Sequence, residues 1–454
     1  MHRNMSDDSV NDHPISRRSF HQQLAAGATL AALSPTILVA DDKPAILGGN
    51  PTCAGECPRW PVTEQGDLDA VANVIKSGDW YRYNGSESPV DVFEKQWAAA
   101  LKVPYCQATS SGTSSLITAL AALNIGPGDE VLVPPYTFIA TVNAVLLHHA
   151  LPVFVDSDPA TAQIDVAAIE SRVNENTRCV IPVHLGGASC DMDQLLAVAK
   201  RKQLAVIEDS CQTHTGEWKG QRLGTLGDAG CYSFQNSKNL TCGEGGALVT
   251  SDATLYQRAQ SYQDNGGGRL KHDGGYTGNG ANLRLPNFQG ALLQHQLARL
   301  DAQSKIREAN ADYLRKQLDE IGGVRAKKLL AGTTRHGYHL FIFEFDREAF
   351  ANLGKNKFTA ALRAEGVPAT GGYSATNKME WAKRLVTNRH FRRIYGDTRL
   401  KTWAAENELT ANDRMLKTTC WFGQEVLLAE RERMDQIAAA FRKVKQHAAE
   451  IAKA

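Results

Sequence analysis

Between about residues 105 and 250, short uninterrupted apolar runs alternate with longer stretches of helical spacing. The runs at 131–134, 152–156, 179–183, 204–208, 231–234 and 247–250 are too short for helices. They read as strands buried on both faces. Helical patterns at 114–123, 138–149 and 191–202 lie between several of them. This alternation predicts an α/β domain with a mostly parallel central sheet and helices on both faces. Ligands in such domains sit beyond the carboxyl ends of the strands.

The pattern changes after the last run. Residues 253–280 depart from the rhythm, and the glycine-rich, polar stretch 264–275 reads as loop. A long amphipathic helix is expected from Pro286 to about Ile321, and a strand over 338–345. A helix over 357–365 should stop at Gly366, and a last helix should run from Glu430 to about Ala452. The expectation is a large domain over 41–300, including an N-terminal segment, and a smaller C-terminal α/β domain over 301–454. No internal repeat is visible.

The first forty residues stand apart. Arg17 and Arg18 precede Phe20 and an uncharged, Ala/Leu-rich run over 24–40. An arginine pair followed by a modest apolar stretch is the pattern of a twin-arginine export signal. Gly27 and Pro35 interrupt the run, which is short for a membrane span. No later segment reads as transmembrane. The expected location is therefore periplasmic or otherwise exported, the alternative being a plain basic N-terminus with a weak apolar helix on a cytoplasmic protein.

Composition narrows the class further. The chain has 454 residues, enough for more than one domain, and its formal net charge of +1 gives no field that would favour nucleic acid or an anionic surface. Its 9 cysteines are an odd number without regular spacing, so they do not read as a disulfide framework. Cys53 and Cys57 are close enough for a small oxidised loop, but further metal ligands are missing, and no metal site is expected.

Chemistry-bearing residues sit at the expected strand ends. The run Ser110-Ser111-Gly112-Thr113-Ser114 opens a helix and is either ordinary capping or a seat for an anion such as a phosphate. Phe138, just past a strand, is either core or a ring-stacking residue. Glu208 and Asp209 end an apolar run. A carboxylate there can hold a pyridinium nitrogen protonated, and Asp209 fits that role better than Glu208, which reads as structural. Lys238 follows Ser233 by a few residues and precedes a glycine-rich turn, a setting in which a lysine can lose its charge and attack carbonyl carbons.

The ordered set, with Gly126–Val131 as Gly-Pro-Gly-Asp-Glu-Val, the run Pro182-Val183-His184-Leu185-Gly186-Gly187, and above all the segment 233–246, resembles the DegT/DnrJ/EryC1/StrS family of sugar and cyclitol aminotransferases. The resemblance runs from Pro44 nearly to the C-terminus and implies a fold-type I pyridoxal-phosphate-dependent transferase. It implies that Lys238 forms a Schiff base with pyridoxal 5'-phosphate and that Asp209 pairs with the pyridine nitrogen. Phe138 would stack on the ring, Gly112, Thr113 and Ser233 would hold the phosphate, and Gln212 would lie near the ring hydroxyl. Asn282 and Arg284 would reach the cofactor of a neighbouring subunit, so a homodimer with shared sites is implied. His184 and His214 fall near the site in this scheme, as structural or functional histidines.

Some family members carry histidine at the Lys238 position and act as dehydratases, so lysine keeps transamination open. The expected reaction moves an amino group from glutamine or glutamate to a keto sugar or a keto-cyclitol of the scyllo-inosose type. A dehydratase or lyase of the same family, like aminohydroxybenzoate synthase, and an exported relative without catalysis are the alternatives. Ser210 and Cys211 depart from the alanines usual after the site aspartate. The acceptor would be chosen by the surroundings of Trp80, 266–275 and Tyr373.

Overall fold

The computed structural model describes residues 43–84, 87–267 and 278–454. The apolar run with its arginine pair, expected to be an export signal, and most of the glycine-rich stretch 266–275 lie outside the described residues.

Seven strands make the central sheet: β1 (Tyr105–Thr109), β2 (Glu130–Val133), β3 (Leu151–Phe154), β4 (Thr177–Val180), β5 (Ala205–Asp209), β6 (Ala229–Ser233) and β7 (Gly246–Thr250). Their spatial order is β1-β7-β6-β5-β4-β2-β3. The pairs β2–β3, β2–β4, β4–β5 and β5–β6 are parallel, and β7 runs antiparallel to both β6 and β1. The sheet is therefore mostly parallel, as expected. Strands β2, β3, β6 and β7 are buried at every position, which is why they read as continuous apolar runs rather than alternating ones.

Helices cover both faces, among them α1 (Gln65–Ser77), α2 (Pro89–Leu101), α3 (Gly112–Ala122), α4 (Ala140–Leu147), α5 (Met192–Lys202) and α6 (Ala253–Gln263). Ser88 and Asp91 form a capping box around Pro89 at the start of α2, and Asp191 caps α5 by accepting from the Gln194 N–H. Helix α6 fills the stretch just before the loop expected over 264–275. Asp252 caps it by accepting from the Thr254 and Leu255 N–H groups, and Leu255, Ala259 and Gln263 form its buried stripe. The polarity of its exposed side masks that short stripe.

Helix α7 (Asn287–Ile321) is 35 residues long and joins the two cores. Its Leu293 and Leu300 pack beneath β1 and β7, while Ala311, Leu314 and Leu318 belong to the second core. That core covers a three-stranded antiparallel sheet, β8 (Val324–Ala326), β9 (Leu340–Phe345) and β10 (Thr419–Gly423), in the order β8-β9-β10. Phe341 and Phe422 stack across it at 4.9 Å. Helices α8 (Lys355–Ala364) and α9 (Arg389–Glu406) follow β9, and α10 (Arg431–Gln446) packs its buried Phe441 on the same core. The expected last helix breaks at His447 into α10 and a short helix over Ala448–Lys453.

Among the described residues, no helix is long and apolar enough to cross a membrane. Cys53 and Cys57 are free thiols, and burial pushes that of Cys53 up to about 11.

Candidate active site

The parallel strands bring their carboxyl ends to one edge of the sheet. Asp209 is the last residue of β5 and pairs with Cys231 of β6, two residues before Ser233. Ser233 ends β6 opposite Gly246 of β7, and Gly246 is also opposite Thr109 at the end of β1. The start of α3, the end of β5 and the end of β6 thus converge because the strands between them are in register.

They line a cavity of about 470 Å³ together with Phe138, Gln212, Lys238 and Tyr373. At its base, Ser111 caps α3 by accepting from the Ser114 N–H at 3.0 Å. The N–H groups of Gly112 and Thr113 lie in the first turn, where no intrahelical acceptor exists, and both residues line the cavity. That is a seat for an anion. A Cβ on Gly112 would stand 2.6 Å from the Ser233 Cβ and 2.8 Å from the Cys211 Sγ. Only glycine allows α3 and β6 to approach this closely. Gly112→Ala is expected to force them apart and weaken cofactor binding by about 1–3 kcal/mol. A fluorescence titration of the cofactor-free protein measures this, and unchanged affinity would place the seat elsewhere.

Asp209 is held from two sides. Its Oδ2 accepts the Thr141 hydroxyl at 2.7 Å, and its Oδ1 accepts the Cys211 N–H at 3.2 Å. Each carboxylate oxygen has acceptor capacity left for a further donor. Phe138 is 54% exposed at the cavity, with Tyr373 at 6.2 Å. An aromatic face left this open beside a polar floor suits a flat ligand ring. Gln212 accepts the Gly186 N–H at 2.8 Å and donates to the Tyr373 hydroxyl at 3.3 Å, so it ties two walls of the cavity together. Burial pushes the Tyr373 hydroxyl up to about 12.

Lys238 is half-buried, and burial pushes its ammonium below the ordinary lysine value, against weaker opposing pulls from Cys211 and Asp209. Its Nζ lies 3.3 Å from His339 Nε2. Burial, and then the neighbouring Asp209, push the Cys211 thiol well above its ordinary value, so it does not serve as a thiolate.

Gly112, Thr113, Phe138, Asp209, Gln212, Ser233 and Lys238, the residues singled out by their sequence setting, therefore meet in one cavity. Asn282 and Arg284 do not join them. Asn282 is exposed, and Arg284 pairs with Asp264 and lies over the Tyr81 ring at 5.3 Å. His184 and His214 are buried supports outside the lining. His184 donates to Glu208 at 2.8 Å, and Glu208 also accepts the Gly224, Leu226 and Gly227 N–H groups, the structural role expected of it. His214 donates to the Ser233 carbonyl at 2.8 Å, and burial pushes it down to about 3. Two residues join the site without a signal in the sequence. Thr141 sits one turn beyond Phe138 and carries no motif, and His339 shows only as a polar residue before an apolar strand.

A seven-stranded mostly parallel sheet with an anion seat, an acid and a lysine at its carboxyl edge defines a fold-type I transferase. Residues 61–443 match the DegT/DnrJ/EryC1/StrS aminotransferase family, and the chain belongs to that family. It is 35% identical over 431 residues, covering 90% of this chain and 98% of the relative, to an L-glutamine:2-deoxy-scyllo-inosose aminotransferase of Streptoalloteichus tenebrarius. It is 36% identical over 436 residues, covering 91% and 100%, to an L-glutamine:scyllo-inosose aminotransferase of Streptomyces griseus. The crystal structure of 3-amino-5-hydroxybenzoic acid synthase superposes with a TM-score of 0.77 at 28% identity, covering 88% of this chain and all of that one.

Proposed function

We propose that this aminotransferase uses pyridoxal phosphate to move the amino group of L-glutamine onto a keto-cyclitol of the scyllo-inosose type. The observation that carries the reading is Lys238, half-buried in a cavity also lined by Gly112, Thr113, Phe138, Asp209 and Ser233, in a chain with full-length likeness to cyclitol aminotransferases. The acceptor class and the donor are supported by the names of those relatives.

When bound, the cofactor supplies an aldehyde that exchanges amines and a ring that takes up the electron pair left by a departing proton. The Gly112 and Thr113 N–H groups and the Ser233 hydroxyl bind the phosphate. Asp209, oriented by Thr141, holds a proton at the ring nitrogen. Phe138 covers one ring face and limits water there. Lys238 is the attachment point, and its amine, whose charge burial disfavours, takes a proton from the donor's α-carbon and returns it to the neighbouring position. The same groups in reverse order aminate the acceptor.

Adding L-glutamine to the purified protein should bleach the absorbance of the bound aldehyde form, and scyllo-inosose should restore it with an aminated cyclitol appearing by mass. Dehydration of the acceptor without a donor would favour the dehydratase alternative instead.

The exposed Asn282 and the Arg284 side chain, away from their own cavity, fit a role at a partner's site in a homodimer. A monomer mass by light scattering would remove that part of the reading. Export rests on Arg17, Arg18 and the apolar run that follows. The exported fraction should contain the protein shortened near residue 40, and an intact N-terminus confined to the cytoplasm would sink it.

A further inference from the structure

We propose that His339 is a positioning residue for Lys238, holding the ε-amine aside and neutral through its ring Nε2 whenever that amine is free. This rests on the reading of Lys238 given above. His339 lies 101 positions away in sequence, immediately before β9, so the contact joins the central sheet's edge to the second core.

Among the described residues Lys238 has no ion pair, and His339, at 3.3 Å, is its hydrogen-bond partner. The other two buried histidines nearby spend Nε2 on fixed groups, His184 on the Glu208 carboxylate and His214 on the Ser233 carbonyl. His339 differs in spending Nε2 on a movable amine; its Nδ1 is buried without a partner, as are those of His184 and His214.

The surroundings give the contact its direction. The groups facing His339 are Lys238, His214 from the loop after β5, and Arg307 from α7. Arg307 is fully buried, lies over the Trp60 ring at 5.1 Å and donates through Nε to Gln424 at 2.7 Å. Its Nη1 and Nη2 have no hydrogen-bond partner, and among the described residues it has no ion pair. Buried cationic charge opposes a second positive charge on His339, and Glu425, the carboxylate acting on Arg307, makes no ion pair with it. Burial first, and these neighbours next, hold the imidazole well below its ordinary value. A neutral ring with its proton on Nδ1 presents Nε2 as an acceptor. It can therefore take an N–H from the Lys238 amine without giving it a proton, leaving the amine's lone pair toward the cavity. Four torsions make a free lysine amine hard to hold, and one hydrogen bond restricts them.

Two variants test this, because glutamine places its amide near the Nε2 position and asparagine near Nδ1. Borohydride reduction of each holoenzyme, followed by peptide mass, shows whether the cofactor is attached at Lys238. The glutamine half-reaction is then followed in single turnovers across pH, together with the pH midpoint of the bound cofactor's absorbance. His339→Asn should keep the attachment, lower the limiting rate by about 10–100-fold, leave half-saturation by glutamine within about twofold and move the spectral midpoint. His339→Gln should recover most of the rate and of the midpoint. The proposal is overturned if His339→Asn keeps the wild-type rate and midpoint, if its loss lies only in half-saturation, or if His339→Gln is no better than His339→Asn with the cofactor attached in both. Failure of attachment in the wild-type protein overturns the reading of Lys238 itself, and this proposal with it.

Discussion

Lys238→Ala is expected to lower the limiting rate by about 10²–10⁴-fold or more and to abolish borohydride-stable attachment of the cofactor. Two functions are removed at once. The amine is the attachment point, and once free it is the group that moves the proton. Its position explains both. Burial pushes the ammonium below the ordinary lysine value, so more of the amine is neutral at a given pH than on a surface lysine. Competitive acetylation of the cofactor-free protein should accordingly show Lys238 titrating below the exposed lysines. Lys238→Arg should fare no better than alanine, since a guanidinium keeps its proton. Full turnover by Lys238→Ala would end the whole assignment.

Asp209→Asn is expected to cost about 10²–10³-fold in limiting rate, with the fold intact. The carboxylate accepts the Thr141 hydroxyl on one oxygen and the Cys211 N–H on the other. An asparagine must turn its carbonyl toward one of them and its NH₂ toward the other. With the carbonyl on Thr141, two donors face each other at Cys211, a conflict of about 1–3 kcal/mol. The neutral amide also cannot stabilise a protonated ring nitrogen as an anion does. The check is the rate of the glutamine half-reaction beside a denaturant unfolding curve. A rate within about threefold of wild type would disconnect Asp209 from the ring nitrogen, and a large fall in stability would mean that its role is in folding.

Much of the large sheet and half of the cavity are legible in the amino-acid sequence, for a local reason. Strands buried on both faces leave continuous apolar runs, and in a parallel sheet the residues just past each run share one edge. Asp209, Ser233 and Lys238 can be placed by counting from their own strands. Strand β1 is not legible in this way, because Tyr105–Thr109 alternates polar and apolar positions and joins the sheet through β7. Helix α6 leaves only a weak helical signal because only Leu255, Ala259 and Gln263 mark its buried face.

His339, Thr141 and the Tyr373–Gln212 bond are out of reach for a different reason. Each lies in the cavity or bonds to it because separate elements pack together, across 101 positions for His339, 68 for Thr141 and 161 for Tyr373. No periodicity records a contact at such range. Arg284 shows the converse, since its sequence setting points to a cofactor and yet it turns to Asp264 rather than to its own cavity.

By itself, then, the order of residues determined the strand rhythm, the chemistry available at each strand end and the lysine that keeps transamination open. These depend on burial and backbone geometry within a few residues. Only the tertiary structure decided which groups surround that lysine, because α7, the start of β9 and the segment after α8 bring Arg307, His339 and Tyr373 toward it from elements that share no local pattern with it.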